Sequence, residues 1–523
     1  MSWVSPSLLE APRQESTASN RSLERSIASA HLVLALFLLL GVDNLLLLRF
    51  LGIASVFAHA AVGIPLVLLW MALARSPWGA SIPFSRLWIC MGVAFAAVLL
   101  GGEGRIFYAN TDWQIRDAIL HDMVRWPWPV VYAHVDGPML LRAPIGMYLL
   151  PALVGKAGGA LAADWALLVQ NALVLGVILA LGSQLFPSRR SRLIALVVVL
   201  AFSGMDTIGV ILARPSQLLP LTRNIDGYGG IQFDADLTNL FWVPQHALAG
   251  WLGALMFVLW RAERMSLGVF LAILPLTALW SPLGLLGMLP FAALAGVKTL
   301  LERRLRWADV GPPALACLGA TVTFLYLATD SGRVGMQLYP VIPAVYLIVV
   351  LFDVVPFAAI ALATGAERVG RSTVIVATVS LLAMPFLELG GNTDMRASIP
   401  ALAVFAVISA DLLAERRPRR LRSVLVLVLA IGAMTPLREV ARAVAFRPPP
   451  PPQCDLTRAW QRSYANFPLT PYLARLSTVP ALLRPNSPAL VPTNTGKDPS
   501  RPWIGCWSRP WQVPRLGDPG TPT

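Results

Sequence analysis

The chain has 523 residues, of which 56% are hydrophobic and 13% charged, and its mean hydropathy is +0.64. This composition argues against an ordinary soluble globule and is typical of a multi-pass membrane protein. The net charge of +14 does not favour nucleic-acid binding, because the arginines form short clusters between apolar runs, such as "PSRRSR", "LERRLR" and "ERRPRRLR". Such clusters are typical of cytoplasmic loops of membrane proteins.

Residues 1–27 contain three Glu and three Arg and no compact apolar core, which predicts a cytoplasmic tail rather than a cleaved signal. A membrane-spanning helix needs about 20 mostly apolar residues. The predicted spans are 28–48, 52–74, 86–101, 162–184, 191–212, 239–260, 266–280, 282–299, 313–329, 337–362, 372–388, 398–414 and 422–437. The sequence therefore predicts an all-α membrane domain of about 13 spans over residues 28–437.

Sidedness follows from the arginine clusters. With the N-terminus inside, every arginine-rich connection falls on the cytoplasmic side of the plasma membrane, and the C-terminus lies outside. The long loop 102–161 is then extracytoplasmic. Within it, "APIGMYLLPALVG" (143–155) is short and holds two prolines, and counting it as a span would put "SRRSR" outside. We therefore expect a re-entrant or surface-lying segment there.

The same outer loop contains "FYANTDWQIRDAILHDMVRWPWPVVY" (107–132), which is rich in ionisable and aromatic residues. Ile115, Ile119 and Met123 recur every fourth residue, which indicates a helix. The sequence also places Asp112 with Arg116, and Asp117 with His121, at i, i+4 spacing. We expect an amphipathic helix lying on the membrane, with Asp112 at its beginning.

Asp112 has two interpretations. It could be an acid that caps a helix N-terminus and is favoured by the helix dipole. Alternatively, it belongs to a site that includes arginines, because guanidinium groups suit phosphate oxygens. The candidate arginines in the first outer loop or on the same predicted side are Arg105, Arg116, Arg125, Arg142, Arg214, Arg223 and Arg396. Their alternative role is pairing with nearby acids or with anionic lipid.

Other polar residues stand out at the outer ends of predicted spans. Asp206 lies within a span, where a carboxylate is costly unless it pairs or lines a wet cavity. His246 begins the helix after the second outer loop and is either a structural hydrogen-bonding group or a substrate contact. Asp394, a candidate helix cap, and Arg396 open a later span.

The tail, residues 438–523, is rich in proline and contains the spacer "PPPPP" at 448–452, which leads into the last 71 residues. It is predicted to be extracytoplasmic. Cys454 and Cys506 could pair there if the compartment is oxidising. The tail is either a loosely folded extension or a segment that covers the site or binds the acceptor.

Several stretches resemble those of the GT-C superfamily of integral membrane glycosyltransferases, in particular bacterial GT-C-like multi-pass proteins of unassigned substrate. These stretches are "PxGxYLLPALVGKxxG" after the acidic loop residue, "FSGMDTIG" (202–209), "FWVPQHALAGWL" (241–252), "LWSPLGLLGMLP" (279–290) and "NTDMRASIPAL" (392–402). The resemblance covers about residues 30–440. In these relatives an Asn-Asp pair stands a few residues before Met-Arg, whereas here they are compressed into "NTDMR", so the position of Asp394 departs from the pattern more than that of Arg396.

The resemblance implies transfer of a sugar from a polyprenyl-phosphate donor to a glycan, lipid or protein acceptor at the outer face. Asp112 would be the catalytic base, and Arg396, with Arg214 or Arg223 as alternates, would hold the phosphate. Arg116, Asp206, His246 and Asp394 complete the predicted substrate-binding set. No cofactor is expected, and a divalent metal is not favoured, although Asp234 and Asp236 form an Asp-x-Asp pattern.

Two other classes of function stay open. A lipid or glycan transporter, or flippase, predicts polar groups spread along the spans and a repeat of two halves; neither is visible in the sequence. A non-catalytic GT-C-like scaffold would share the architecture and tolerate loss of Asp112. The sequence contains no P-loop, HExxH or CxxC motif, so it does not support nucleotide-driven transport or zinc hydrolysis.

Overall fold

The computed structural model describes residues 25–75, 79–213, 215–218, 220–228, 230–391, 393–414, 419–492 and 505–515, without the side chains of 217 and 228. Most of the predicted N-terminal tail (1–27) and the candidate Arg214 lie outside the described residues.

Helices dominate the fold. The first eleven are α1 (Ser29–Phe50), α2 (Val56–Ala74), α3 (Phe84–Leu100), α4 (Trp113–Arg125), α5 (Gly146–Gly158), α6 (Ala160–Gly182), α7 (Arg189–Ala201), α8 (Asp206–Ala213), α9 (Asp236–Trp242), α10 (Pro244–Arg261) and α11 (Leu267–Thr277). The others are α12 (Pro282–Leu301), α13 (Trp307–Gly319), α14 (Thr321–Ala328), α15 (Ser331–Val334), α16 (Pro343–Val349), α17 (Val355–Ala363), α18 (Arg371–Ala383), α19 (Thr393–Ala414), α20 (Arg419–Gly432), α21 (Met434–Ala445) and α22 (Leu456–Ser463).

Eight helical segments within the described chain are long and apolar enough to cross a membrane, or nine if the bent pair α13 and α14 is one span. The protein is thus a mostly helical multi-pass membrane protein. The finer count of thirteen is not confirmed. Three predicted spans correspond to shorter apolar helices, at Phe84–Leu100, Leu267–Thr277 and Arg371–Phe386. The axes of α13 and α14 are bent by 52° relative to each other.

Serine caps begin several of these helices where the sequence leaves a loop. The side chains of Ser55, Ser188, Ser266 and Ser281 each accept a hydrogen bond from a backbone N–H in the first turn of the helix that follows. Each cap satisfies a donor that the helix itself leaves unpaired. The cap at Ser281 also contacts a candidate site residue described below.

One end of the bundle carries arginine-rich connections that contact one another. Arg368 forms an ion pair with Asp411 at 2.6 Å and donates to the carbonyl oxygen of Leu185. Arg264 donates to the carbonyl oxygen of Gln184, and Arg261 to that of Val369. We call this end the arginine-loop face.

The opposite ends of α6, α10 and α19 meet the long loops and the tail; we call this end the site face. A four-stranded sheet on this face joins the first loop to the tail. The strands are β1 (Ser26–Ala28), β2 (Ser81–Pro83), β3 (Val131–His134), β4 (Gly137–Leu141), β5 (Gly227–Tyr228), β6 (Ile231–Gln232), β7 (Met336–Leu338), β8 (Leu387–Leu389), β9 (Leu473–Arg475) and β10 (Leu490–Val491). β3 pairs antiparallel with β4, β4 antiparallel with β9, and β10 parallel with β3. The fold is therefore helical with small sheets, which the sequence did not predict.

Two segments of the first loop are more deeply buried than the sequence predicted. α4 was expected to lie on the membrane, but its polar and apolar faces are both buried, against α5, α6 and α22. α5, which contains most of the 143–155 run, packs on α6, α4 and α1, and most of its side chains are buried in protein. Both helices are therefore packed within the protein and do not lie on its surface.

The tail is folded onto the first loop. Cys454 and Cys506 form a disulfide bond with a Cα–Cα distance of 4.6 Å. Trp511 beyond the bridge donates its indole N–H to the carbonyl oxygen of Ala109 at 3.0 Å, and α22 packs against α4. The tail therefore covers the chain on either side of Asp112.

Candidate functional site

The chain reaches Asp112 through a tight turn after α3. Gly102 has a φ of +98°, and a Cβ added there would lie 2.5 Å from the Cα of Ala109. Glycine is the residue that adopts this backbone conformation without steric cost. The amide of Asn110 and the indole of Trp113 then both donate to the carbonyl oxygen of Phe241, at 2.7 and 2.8 Å. These contacts fix the entry to α4 against the end of α9.

Asp112 occupies the N-cap position of α4, but its side chain makes no capping hydrogen bond. The capping interpretation therefore does not explain its carboxylate. Instead, one carboxylate oxygen accepts from the hydroxyl of Tyr464 at 2.5 Å, and the other from Arg116 at 3.1 Å. The side chain of Asp112 is 25% exposed, whereas that of Arg116 is 3% exposed. The predicted i, i+4 pair of Asp112 and Arg116 is present, and its carboxylate is more accessible than its guanidinium.

Arg116 is held from several directions. Its Nε donates to the carbonyl oxygen of Trp242 at 2.8 Å, just before α10 begins. Burial alone would lower the pKa of Arg116, but nearby Tyr148 and Asp112 raise it above its usual value. The guanidinium is therefore a fixed positive charge that orients the Asp112 carboxylate.

Tyr464 is a site residue that sequence reasoning missed. It lies at the end of α22, 352 residues from Asp112, and its ring contacts that of Trp460 in a tilted arrangement at a centroid distance of 5.2 Å. Burial raises the pKa of Tyr464, and the charge of Asp112 raises it further. The hydroxyl consequently stays protonated and acts as a donor. The aromatic run "AWQRSYANF" in a proline-rich tail was the available signal.

His246 and Arg396 lie in the same region as this cluster. The Nδ1 of His246 is 2.7 Å from the hydroxyl of Ser281, and its ring is in electrostatic range of both Arg396 and Arg116. Arg396 donates from Nη1 to the carbonyl oxygen of Gly391, while its Nε is buried without a protein partner. Asp112 and Arg116 are thus in direct contact, whereas His246 is related to Arg116 and Arg396 through their charges only.

Asp394 belongs to a neighbouring group of acids. Its carboxylate accepts from the backbone N–H of Gln232 at 2.7 Å, and the Gln232 side chain donates to Asp234 at 2.6 Å. Asp226 accepts from the backbone N–H of Ala235. Burial raises the pKa of Asp226 to about 7. These acids fix the second loop of the site face to the beginning of α19.

Asp206 lies with these acids and not with Asp112. It is fully buried and accepts from the hydroxyl of Ser203 at 2.7 Å, and one of its oxygens has no partner. Its electrostatic neighbours are Asp353, Asp226 and Asp234. Arg223 is exposed, and its carbonyl oxygen accepts a hydrogen bond from Arg442 at 2.5 Å.

The two carboxylates of the Asp-x-Asp pattern have separate partners. Asp234 accepts from Gln232, whereas Asp236 accepts from the indole of Trp251 at 3.2 Å. Over the described ranges, no group of three or more His, Cys, Asp and Glu side chains could hold a metal ion.

Some candidate arginines of the first loop are occupied elsewhere. Arg105 pairs with Asp117 at 3.1 Å and with Asp164 at 2.5 Å, and His121 is 3.1 Å from Asp164. Arg142 donates to the carbonyl oxygen of Thr470. In place of the expected pairing with each other, Asp117 contacts Arg105 and His121 contacts Asp164 of α6.

Comparison with known proteins identifies no family for this chain. No known protein family matches it, and neither does any curated protein or solved structure. The likeness to GT-C glycosyltransferases therefore stays a resemblance of short motifs.

Proposed function

We propose that this protein is a membrane glycosyltransferase that moves a sugar from a polyprenyl-phosphate donor to an acceptor at the site face. The observation that carries the proposal is the partly exposed carboxylate of Asp112, which Arg116 and Tyr464 hold in place. A fixed, partly exposed carboxylate suits removal of a proton, and a buried arginine N–H without a protein partner, such as the Nε of Arg396, suits binding of a departing phosphate.

The proposed reaction is a direct displacement. Asp112 takes the proton from an acceptor hydroxyl, whose oxygen forms a new bond to the anomeric carbon of the donor sugar. The bond between that carbon and the phosphate oxygen breaks, and the phosphate leaves with the electron pair. Each oxygen of the Asp112 carboxylate has a second lone pair, so the hydrogen bonds from Arg116 and Tyr464 leave room for the incoming proton.

Arg396 is the proposed phosphate ligand. Its buried Nε has no protein partner, and a buried donor of this kind gains most from a charged acceptor. The charges of Arg396 and Arg116 both act on His246. His246 is proposed to contact the donor. Arg223 and Arg214, the latter outside the described residues, are proposed as alternates, and Asp206 and Asp394 as residues that shape the donor side of the site.

The test compares Asp112→Asn with two control variants in host cells that lack their own copy of the gene. The asparagine keeps the shape and the hydrogen-bond acceptor but cannot take the proton. Loss of a general base costs about 10²- to 10⁴-fold in rate. We expect Asp112→Asn to lower transfer by at least about 100-fold and to accumulate polyprenyl-phosphate-linked sugars, measured by mass spectrometry of lipid extracts.

The controls separate catalysis from a structural role. Tyr464→Phe removes the hydrogen bond to Asp112 but leaves the carboxylate, so transfer should persist. Asp330→Asn removes another carboxylate of the site face, paired with Arg475 at 3.1 Å, and should leave the products unchanged. If Tyr464→Phe and Asp112→Asn are equally inactive, Asp112 only anchors the tail. Unchanged glycans in Asp112→Asn would favour the scaffold function instead.

A further inference from the structure

A cavity of about 520 Å³ lies in the half of the bundle next to the arginine-loop face. It is bounded by α3, α6, α7, α10 and α19, and none of the proposed site residues lines it. Its volume is within the range of about 300 to 1,000 Å³ that is usual for ligand sites. The cavity is therefore large enough for a ligand and separate from the Asp112 cluster.

The wall of this cavity is apolar over most of its length. Leu175, Leu179, Leu196 and Val199 are among the residues that line it. At the deep end lies Trp251, whose indole N–H already donates to Asp236, so its polar atom is satisfied. An apolar chain is the kind of group that this interior would hold without leaving a polar group unpaired.

The other end of the cavity is positively charged. Arg86, Arg189 and Arg192 line it there, and the lining residues of the described chain include no carboxylate. Arg86 and Arg192 are close enough to repel each other. Arg192 is held in place because its Nη1 donates to the carbonyl oxygens of Phe186 and Pro187, at 3.2 and 2.8 Å. Neighbouring guanidinium groups without an acidic partner suit a phosphate.

The length of the cavity matches one leaflet. Its lining runs along α7 from Arg189 to Leu200, which is about 16 Å at 1.5 Å per residue. Half of a hydrocarbon core about 30 Å thick is nearly the same length. Ile89 and Leu193 line the cavity and are also exposed on the outside of the bundle. The cavity is thus accessible from the side, where lipid surrounds the protein.

We propose that this cavity binds an anionic phospholipid from the leaflet at the arginine-loop face, with one acyl chain inside and the phosphate on Arg86, Arg189 and Arg192. The occupant is a two-chain lipid rather than a long polyprenyl phosphate, because the cavity ends after the length of one leaflet. This inference does not depend on the proposed sugar transfer.

The test uses the full-length protein in vesicles of equal parts phosphatidylglycerol and phosphatidylcholine. After extraction into a mild detergent, native mass spectrometry counts the lipids that each protein molecule retains. Both lipids carry a phosphate, but phosphatidylcholine would also bring its quaternary ammonium close to three arginines that have no carboxylate among the lining residues. Because like charges repel, we expect the wild type to retain phosphatidylglycerol over phosphatidylcholine by at least about tenfold.

Three variants identify the site. Arg86→Gln with Arg192→Gln should abolish the preference, while the matching double lysine variant should keep it. Ala254→Phe, which fills the cavity, should remove the retained lipid while the arginines stay. Arg420→Gln, an exposed arginine at the beginning of α20, is the control and should behave like the wild type. Equal retention of both lipids by the wild type, or a preference that survives the double glutamine variant, would overturn the proposal.

Discussion

At the scale of single residues, the carboxyl group of Asp122 connects the first loop to the tail. One of its oxygens accepts both from the hydroxyl of Tyr132 and from the backbone N–H of Leu456, each at 2.8 Å. Burial raises the pKa of Asp122 to about 7, even though these hydrogen bonds lower it. The charge state of one buried acid therefore affects how well α22 is held on α4.

The sign of the pH effect follows from this raised pKa. Between about 4 and 7, the folded protein binds a proton at Asp122 that the unfolded chain has already lost, so stability falls as the pH rises through this range. Above pH about 7 this loss of stability is complete, because Asp122 is then ionised in both the folded and the unfolded chain. The variant Asp122→Asn cannot titrate. We expect the wild type to lose more thermal stability than Asp122→Asn between pH 5 and pH 8, measured as melting temperatures in one detergent.

Asp330 provides a contrast on the same face. Although burial opposes the effect, hydrogen bonds from Arg475 hold the pKa of Asp330 below its usual value. Its contribution to stability is present above the unfolded pKa and is lost as the pH falls, which is the opposite sign. An Asp330→Asn variant should therefore not reproduce the effect of Asp122→Asn. Identical pH profiles for the wild type and Asp122→Asn would contradict the role assigned to this carboxyl.

At the scale of single residues, the sequence indicated some of the site and missed the rest. Asp112 and Arg116 could be paired from the sequence because they share one helix face, four residues apart. Tyr464 could not, since no local spacing relates residues 352 positions apart. Asp117 and His121 have the same spacing, but α4 is buried against α6, so Arg105 and Asp164 compete for them.

At the scale of elements, the turn between α3 and α4 sets the position of Asp112. Gly102→Ala would put a Cβ 2.5 Å from the Cα of Ala109 in a conformation that L-residues rarely adopt. Strain of this kind costs about 1 to 3 kcal/mol. We expect a lower melting temperature and faster hydrogen exchange over residues 107–125, measured by mass spectrometry.

Gly296→Ala is the matched control for this substitution. Gly296 lies inside α12, and an added Cβ there would meet nothing within 4 Å. Alanine in a helix interior is more stable than glycine by roughly 0.5 to 1 kcal/mol. The control should therefore unfold at the wild-type temperature or above it. Equal behaviour of the two variants would mean that the turn at Gly102 is not what fixes the entry to α4.

The elements that the sequence missed are short and paired over long distances. Strands β9 and β10 have two or three residues each and pair with strands of the first loop more than 300 positions earlier. Such strands leave no detectable alternation of apolar and polar residues. The breaks within predicted spans have a local cause: "FSGM" (202–205) separates α7 from α8, and Val243 separates α9 from α10, which begins with Pro244.

At the scale of the whole molecule, the arginine pattern predicted which segments would lie together. The loops containing Asp112, Gln232, Asp330 and Asp394, together with the tail, all meet at the site face. The connections containing Arg261, Arg264 and Arg368 meet at the other end. The hydropathy pattern could predict this division because the length of each apolar run determines where its helix begins and ends. It could not predict the inclination and bending of each helix, which depend on the neighbouring helices.

The direction of the protein in the membrane is the remaining prediction at this scale, and cysteine labelling tests it. Val135, in the turn between β3 and β4, is 87% exposed on the site face. The Arg304 side chain, in the arginine-rich connection after α12, is 73% exposed. With Cys90 and Cys317 replaced by serine, Val135→Cys and Arg304→Cys each provide a single free thiol on one face, because Cys454 and Cys506 are bridged.

A maleimide that cannot cross membranes is then added to intact cells and to permeabilised cells. If the arginine clusters are cytoplasmic, Val135→Cys is labelled in both and Arg304→Cys only after permeabilisation. This result would put Asp112, Arg396 and the covering tail at the outer surface, where a lipid-linked donor would have to be used. Labelling of Arg304→Cys in intact cells, with Val135→Cys protected, would reverse the orientation and move the proposed reaction to the cytoplasmic surface.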